Sequence, residues 1–140
     1  MTSEAAKPHD DSDEPYRLLF DENPNPMWIL DDATLRFLAV NEAAVKLYGW
    51  SRDEFLAMTA GDIRPPEDVP ALMTALNRTR GERLAFAGEW RHWKKDRTVF
   101  DVEVTIGFIR FHGRDARLTM VSDITGRKRA EATLRELNQQ

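Results

Sequence analysis

The sequence predicts an α+β domain in which an antiparallel sheet carries short helices on one face. In the middle of the chain, apolar residues recur at helical spacing, at Val69, Leu72, Met73 and Leu76. The period then changes to two, with Phe100, Val102, Val104, Ile106 and Phe108 alternating with Asp101, Glu103 and Thr105. Short polar turns separate the strand-like runs, so consecutive strands pair locally and the helices must bury their stripes against the sheet. A chain of 140 residues suffices for one domain, with or without tails, whose core needs no staples.

Each element has its own local cause. Residues 1–13 are acidic and short of apolar groups, which predicts a disordered tail. Tyr16, Leu18, Leu19 and Phe20 form a short amphipathic segment, closed by the prolines of Asn23-Pro24-Asn25-Pro26. Met27–Leu30 and Leu35–Val40 read as a hairpin turning at Asp31-Asp32. Asn41 caps a helix carrying Ala43, Ala44, Val45, Leu47 and Tyr48, which Gly49 stops. Ser51 and Glu54 make a capping box for a second short helix with Phe55, Leu56 and Met58. After Pro65-Pro66, the Val69–Leu76 stripe belongs to a helix that runs to about Arg80 and ends at Gly81. Three strands follow, near Arg83–Trp93, Phe100–Phe108 and Arg114–Ile124. Their turns fall at Lys95-Asp96-Arg97-Thr98 and Phe111-His112-Gly113-Arg114. Thr125–Gln140 is helical by propensity, and Ala130, Leu134 and Leu137 give it a single heptad seam.

Composition excludes several chemistries. With no cysteine there is no disulfide, thiolate zinc site, iron–sulfur cluster or cysteine nucleophile. The formal charge of -4 comes from residues 1–15, which hold five acids and one base, leaving 19 of each in the rest. A nucleic-acid binder would show a basic excess, so no nucleic-acid partner is expected. No apolar run approaches the ~18 residues of a membrane span, and no apolar stretch opens the chain as a secretory signal does. The expectation is a cytoplasmic domain without direct membrane contact.

Six local motifs, in order, resemble a PAS domain of the sensory-box type. They are Asn25-Pro26-Met27-Trp28-Ile29, Val40-Asn41-Glu42-Ala43-Ala44, Tyr48-Gly49-Trp50-Ser51-Arg52-Asp53-Glu54-Phe55-Leu56, Asp62-Ile63-Arg64-Pro65, Trp90-Arg91-His92-Trp93-Lys94-Lys95-Asp96 and Asp123-Ile124-Thr125-Gly126-Arg127-Lys128. The resemblance implies a five-stranded antiparallel sheet of order 2-1-5-4-3, with helices over its concave face and a C-terminal output helix. It divides the chain into a tail at 1–13, the PAS domain at 14–125 and the start of a signalling helix at 126–140, expected to continue in a longer parent protein. One departure is Arg97, where the family often carries glycine; a positive φ there would cost about 1 kcal/mol.

Strand parity and helix spacing give a candidate pocket. Trp28, Leu30, Trp90, His92, Val102, Val104 and Ile106 should line it from the sheet, and Leu47, Ile63, Leu72, Met73 and Leu76 from the helices. Leu84 and Phe86 share the parity of His92. A filled core is as well supported as an open cavity. Haem-binding members of the family take an axial histidine, commonly from the longest mid-chain helix, and residues 68–80 hold none. His92 is read as a hydrogen-bonded histidine near a strand end rather than a haem ligand. No cofactor is the leading expectation. A non-covalent flavin is compatible with the composition, haem is disfavoured, and a cysteinyl-flavin adduct is excluded.

Asp31-Asp32 and Glu67-Asp68 read as turn and N-cap residues, and Asp101 and Glu103 as the solvated sheet face. No phosphate loop, nucleophile elbow or catalytic triad pattern is present, and no metal site is expected. In the last segment, Thr125 reads as an N-cap. Arg127, Lys128 and Arg129 oppose the helix dipole and need a carboxylate, for which Asp123 is nearest. Asp123, Thr125 and Arg127 are therefore the candidate relay residues, setting the angle at which the helix leaves the sheet.

The expected function is a sensory or regulatory module of a larger bacterial signalling protein, such as a two-component sensor histidine kinase or a cyclic-dinucleotide enzyme. The fragment itself is expected not to be an enzyme. It would relay a change caused by a small-molecule ligand or partner, as a homodimer through the N-terminal segment and C-terminal helix. One alternative is a ligand-free dimerisation spacer that uses Leu18, Leu19, Phe20 and that helix. The other is a small cone-type α+β enzyme that would depend on His92.

Overall fold

The prolines at 24 and 26 end a helical turn at residues 17–22 and hand the chain to a sheet, in a computed structural model that describes residues 17–139. The expected tail and Tyr16 lie outside the described residues. Five strands follow: β1 (Met27–Asp31), β2 (Phe37–Val40), β3 (Ala85–Trp93), β4 (Val99–Phe111) and β5 (Arg114–Asp123). They form one sheet in the order β2-β1-β5-β4-β3, every neighbouring pair antiparallel. This is the predicted order. Between β2 and β3 run α1 (Glu42–Tyr48), α2 (Arg52–Leu56), two short 3-10 turns (Ala60–Ile63 and Pro66–Asp68) and α3 (Val69–Arg78). The chain leaves the sheet through α4 (Thr125–Asn138).

The predicted caps carry the local structure. Asn41 is fully buried and ties several backbone groups together. Its Oδ1 accepts from the backbone N–H of Met27 at 2.9 Å and of Ala44 at 3.0 Å, and its Nδ2 donates to the carbonyls of Phe20 at 2.9 Å and Asn25 at 3.0 Å. One side chain thus starts α1 and pins the segment before β1. The Ser51–Glu54 capping box forms as expected and delivers Phe55 into the core. That core joins the sheet's inner face (Trp28, Leu30, Val102, Val104, Val121) to Tyr48, Phe55, Ile63, Leu72 and Leu76.

Two predictions of side-chain direction fail, the second because of a backbone bulge. In α3 the inward stripe is Leu72, Ala75 and Leu76, and Met73 is 44% exposed. In β3 a bulge lies between Phe86 and Gly88, and Gly88 takes φ +96°. The extra residue turns Ala87 inward, so Leu84 and Phe86 face solvent and do not share the side of His92. Arg97 does take a positive φ, at +71°, with its guanidinium 4.8 Å from the Trp93 ring centroid. His112 and Gly113 both have positive φ, as a two-residue hairpin turn requires.

Candidate functional site

A cavity of about 30 Å³ lies between the inner sheet face and α3. Of the predicted pocket residues, Trp28, Leu30, Leu72, Leu76, Trp90, His92, Val104 and Ile106 line it. Four do not. Ile63 and Val102 are buried in the core away from the cavity, Leu47 packs partly buried against that core, and Met73 points outward. The structure adds Ala60, Arg64, Ala75, Ala87 and Thr119.

The polar groups of this cavity have distinct origins. Arg64 follows the first 3-10 turn and precedes Pro65, which forces it into extended backbone at φ -149° and ψ 160°. Its side chain folds inward, 5% exposed, and its Nε donates to the Ala60 carbonyl at 3.0 Å. Its guanidinium lies 5.7 Å from the Trp90 ring centroid and has no carboxylate within ion-pair distance among the described residues. Burial lowers its pKa to about 10, so it remains a cation. Thr119 stands on β5 opposite Trp28, 3% exposed, and its Oγ1 has no hydrogen-bond partner among the described residues.

His92 is 1% exposed. Its Nδ1 lies 2.6 Å from the Tyr48 hydroxyl, while its Nε2 has no partner among the described residues. Burial, and after it the Arg64 charge, push the imidazole pKa well below its ordinary value, so the ring is neutral. Burial pushes the Tyr48 phenol up, so the phenol keeps its proton. The direction of the bond follows. His92 is the phenol's only hydrogen-bond partner among the described residues, so the phenol must donate to Nδ1 or leave its own proton buried and unpaired, at a cost of about 1–3 kcal/mol. His92 therefore carries its proton on Nε2. It is the hydrogen-bonded histidine expected from sequence, and it also has a free donor.

The candidate relay residues are arranged differently from expectation. Ile124, not Thr125, occupies the N-cap of α4, and the Thr125 N–H is instead capped by Asp123 Oδ1 at 3.0 Å. Thr125 Oγ1 accepts from the Asp101 N–H at 3.2 Å, tying the helix start to β4. Asp123 is not the partner of the bases. Arg127 reaches Glu89 at 3.3 Å and Glu103 at 3.4 Å, and Lys128 reaches Glu89 at 3.0 Å. Glu89 and Glu103 face each other across β3 and β4, and the two bases offset a like-charge pair. The face expected to be solvated is thus partly covered by α4. Asp68 stands at the N-cap of α3, but its carboxylate makes no cap bond and instead accepts from Nε and Nη2 of Arg91, at 3.0 and 2.8 Å. Among the described residues, no group of three or more His, Asp or Glu could hold a metal, and no helix is long and apolar enough to cross a membrane.

Comparison with known proteins gives a consistent result. The family model described as the PAS fold matches residues 14–124. The chain is 28% identical over 134 residues to a methyl sulfide methyltransferase-associated sensor of Methanosarcina acetivorans. That match takes in 94% of this chain and spans only 13% of the relative's length. The structure superposes with a TM-score of 0.72 and 20% identity on the PAS domain of an HTR-like protein from Haloarcula marismortui, covering 87% of this chain and 99% of that one. It superposes with a TM-score of 0.67 and 25% identity on a domain of a sensory box sensor histidine kinase/response regulator from Geobacter sulfurreducens, covering 80% and 94%.

Proposed function

The chain belongs to the PAS family, and on that premise we propose that it is a sensory module that passes a change in its cavity to the helix leaving at Thr125. The observation that carries the proposal is the alternation along β3. Trp90 and His92 line the cavity, while Glu89, next to Trp90 on the opposite face, holds Arg127 and Lys128 of α4. One strand carries a wall of the cavity on one face and an anchor of the exit helix on the other. A ligand that favours one position of β3 over another would therefore shift the helix as well.

The small cavity supports a reading without haem or flavin, since cofactor pockets usually run to about 300–1,000 Å³. The proton on His92 Nε2 supports the same reading, because the imidazole lone pair is at Nδ1 and is taken by Tyr48. His92 has no carboxylate partner among the described residues, which favours a non-enzymatic role over a cone-type enzyme. The exposed Leu134 and Leu137 of the α4 seam, with exposed Leu18 and Leu19, support a homodimer within a longer signalling protein. The cavity's size also favours a second reading, a ligand-free relay spacer. Native mass spectrometry of colourless protein with no bound species would select it.

Amide exchange across Arg127–Leu137 tests the relay. Asp123→Ala removes a helix cap worth about 1 kcal/mol, so exchange in the first turns of α4 quickens about fivefold. Glu89→Gln removes two ion pairs and acts in the same direction. Unchanged protection in both variants would overturn the proposal.

A further inference from the structure

The cavity presents donors without acceptors. Three polar side chains face it, each at least nine-tenths buried: Arg64, His92 and Thr119. His92 offers Nε2–H, because Tyr48 holds its Nδ1. Arg64 spends only its Nε, on Ala60; its terminal amino groups have no hydrogen-bond partner among the described residues but, unlike His92 Nε2 and Thr119 Oγ1, are not among the fully enclosed unpaired atoms. The Thr119 hydroxyl has none either. A largely buried guanidinium without a direct ion pair is costly, and Asp68 acts on Arg64 only from beyond ion-pair distance while itself bonded to Arg91. Both of the buried side-chain atoms left unpaired among the described residues, His92 Nε2 and Thr119 Oγ1, belong to residues of this one cavity.

The geometry points to a binding site for a small planar monoanion with two oxygens, a short monocarboxylate, held by Arg64, His92 Nε2–H and the Thr119 hydroxyl. One positive charge and two neutral donors match one negative charge, and a planar guanidinium matches a planar oxyanion. The room available, about 30 Å³, restricts the buried end of the ligand to a few heavy atoms. A metal cation is disfavoured, since Arg64 sets a fixed positive charge beside the cavity and no group of three or more His, Asp or Glu among the described residues could hold a metal. The site deepens the sensory reading and rests on it for its consequence, because the anion would bear on Trp90 and His92 of β3.

The test titrates the 140-residue protein at constant ionic strength with sodium formate, sodium nitrate and neutral formamide. It follows the His92 Nε2–H and Thr119 methyl resonances by NMR and α4 amide exchange in the same samples. Formate should shift both resonances saturably. Formamide should bind at least tenfold more weakly, having lost the charge. Arg64→Met should abolish formate binding and Thr119→Val should weaken it several-fold. Should Arg64→Met fail to give a dispersed spectrum, the contrast between formate and formamide on the unaltered protein decides. Equal binding of nitrate and formate supports the site and makes its ligand an inorganic oxyanion. Non-saturating formate shifts, or formamide binding as tightly as formate, overturn the proposal. Saturable formate binding without a change in exchange at Arg127–Leu137 keeps the anion site and removes the relay. A change in exchange driven by formamide alone does the reverse.

Discussion

His92 should make the protein acid-labile in a narrow window. Its folded ring is neutral, with a pKa well below the ordinary histidine value, and unfolding releases it to water. The unfolded state then binds a proton that the folded state does not, so stability is retained above the unfolded pKa and lost as pH falls below it. With an unfolded value of about 6.5, the slope is about 1.4 kcal/mol per pH unit, which integrates to about 2 kcal/mol between pH 7 and pH 5. The carboxylates with lowered pKa act lower down. The Thr34 N–H stabilises ionised Asp31, and Arg91 stabilises ionised Asp68, so their contributions are lost only below the ordinary carboxylate range, about pH 4. Urea unfolding at several pH values from 7 to 5 measures the effect. His92→Phe removes the titration but leaves the Tyr48 hydroxyl unpaired, costing about 1–3 kcal/mol at every pH, so the slope decides rather than the offset. The wild type should lose about 2 kcal/mol more than His92→Phe over the window. Parallel curves for the wild type and His92→Phe would refute the buried neutral imidazole.

Two further outcomes follow from the scaffold. Arg117 is buried and donates to Asp32 at 2.7 Å, Thr79 at 2.8 Å and the Leu76 carbonyl at 2.7 Å, joining β5 to the end of α3 and the β1–β2 turn. Arg117→Met should lower stability by about 3 kcal/mol in denaturant titration, and a loss below about 1 kcal/mol would show the network to be dispensable. A Cβ added at Gly88 would meet open space, so Gly88→Ala should cost only the backbone penalty of its positive φ, about 1–2 kcal/mol by thermal unfolding. No loss would show that the bulge does not need this conformation.

Local chemistry makes the fold legible. Gly49 and the Ser51–Glu54 capping box act through neighbours within four residues, so those roles can be read from spacing alone; for Asn41 only the cap on Ala44 can, and its bonds to Phe20, Asn25 and Met27 cannot. The alternation of β4 is equally plain, because the inner residues are apolar and the outer ones are mostly polar. The site is legible only in its apolar part. Arg64 reads as a surface residue until Pro65 is allowed to force its backbone, and nothing local says that the side chain turns inward. Thr119 lies on a strand where the usual sign of alternation is reversed. Arg117 and Thr119 are buried, while Leu118 and Met120 are half-buried or exposed. The bulge at Ala87 and Gly88 breaks the parity of β3, and Gly88 is its only sequence signal. Asp123 is the carboxylate just before the bases in sequence, whereas the sheet brings Glu89 and Glu103 within ion-pair distance of them.

The bulge also bears on how the cavity and the exit helix are joined. A one-residue slip in a strand exchanges its two faces. In β3 such a slip would send Glu89 toward the cavity and Trp90 toward α4, losing the ion pairs and the cavity wall together. The extra residue at Ala87 sets the register in which each faces its proper side. The energies involved suit a signal. The pairs from Glu89 and Glu103 to Arg127 and Lys128 are largely exposed, so each contributes about 0–1 kcal/mol and weakens with salt. Together with the Asp123 cap they hold α4 by a few kcal/mol at most, the range of about 1–3 kcal/mol over which one site usually influences another. Burying an oxyanion against Arg64 would exert a comparable force on the other face of the same strand. A helix held by a fully buried network such as that of Arg117 would be too firmly fixed for such a ligand to move.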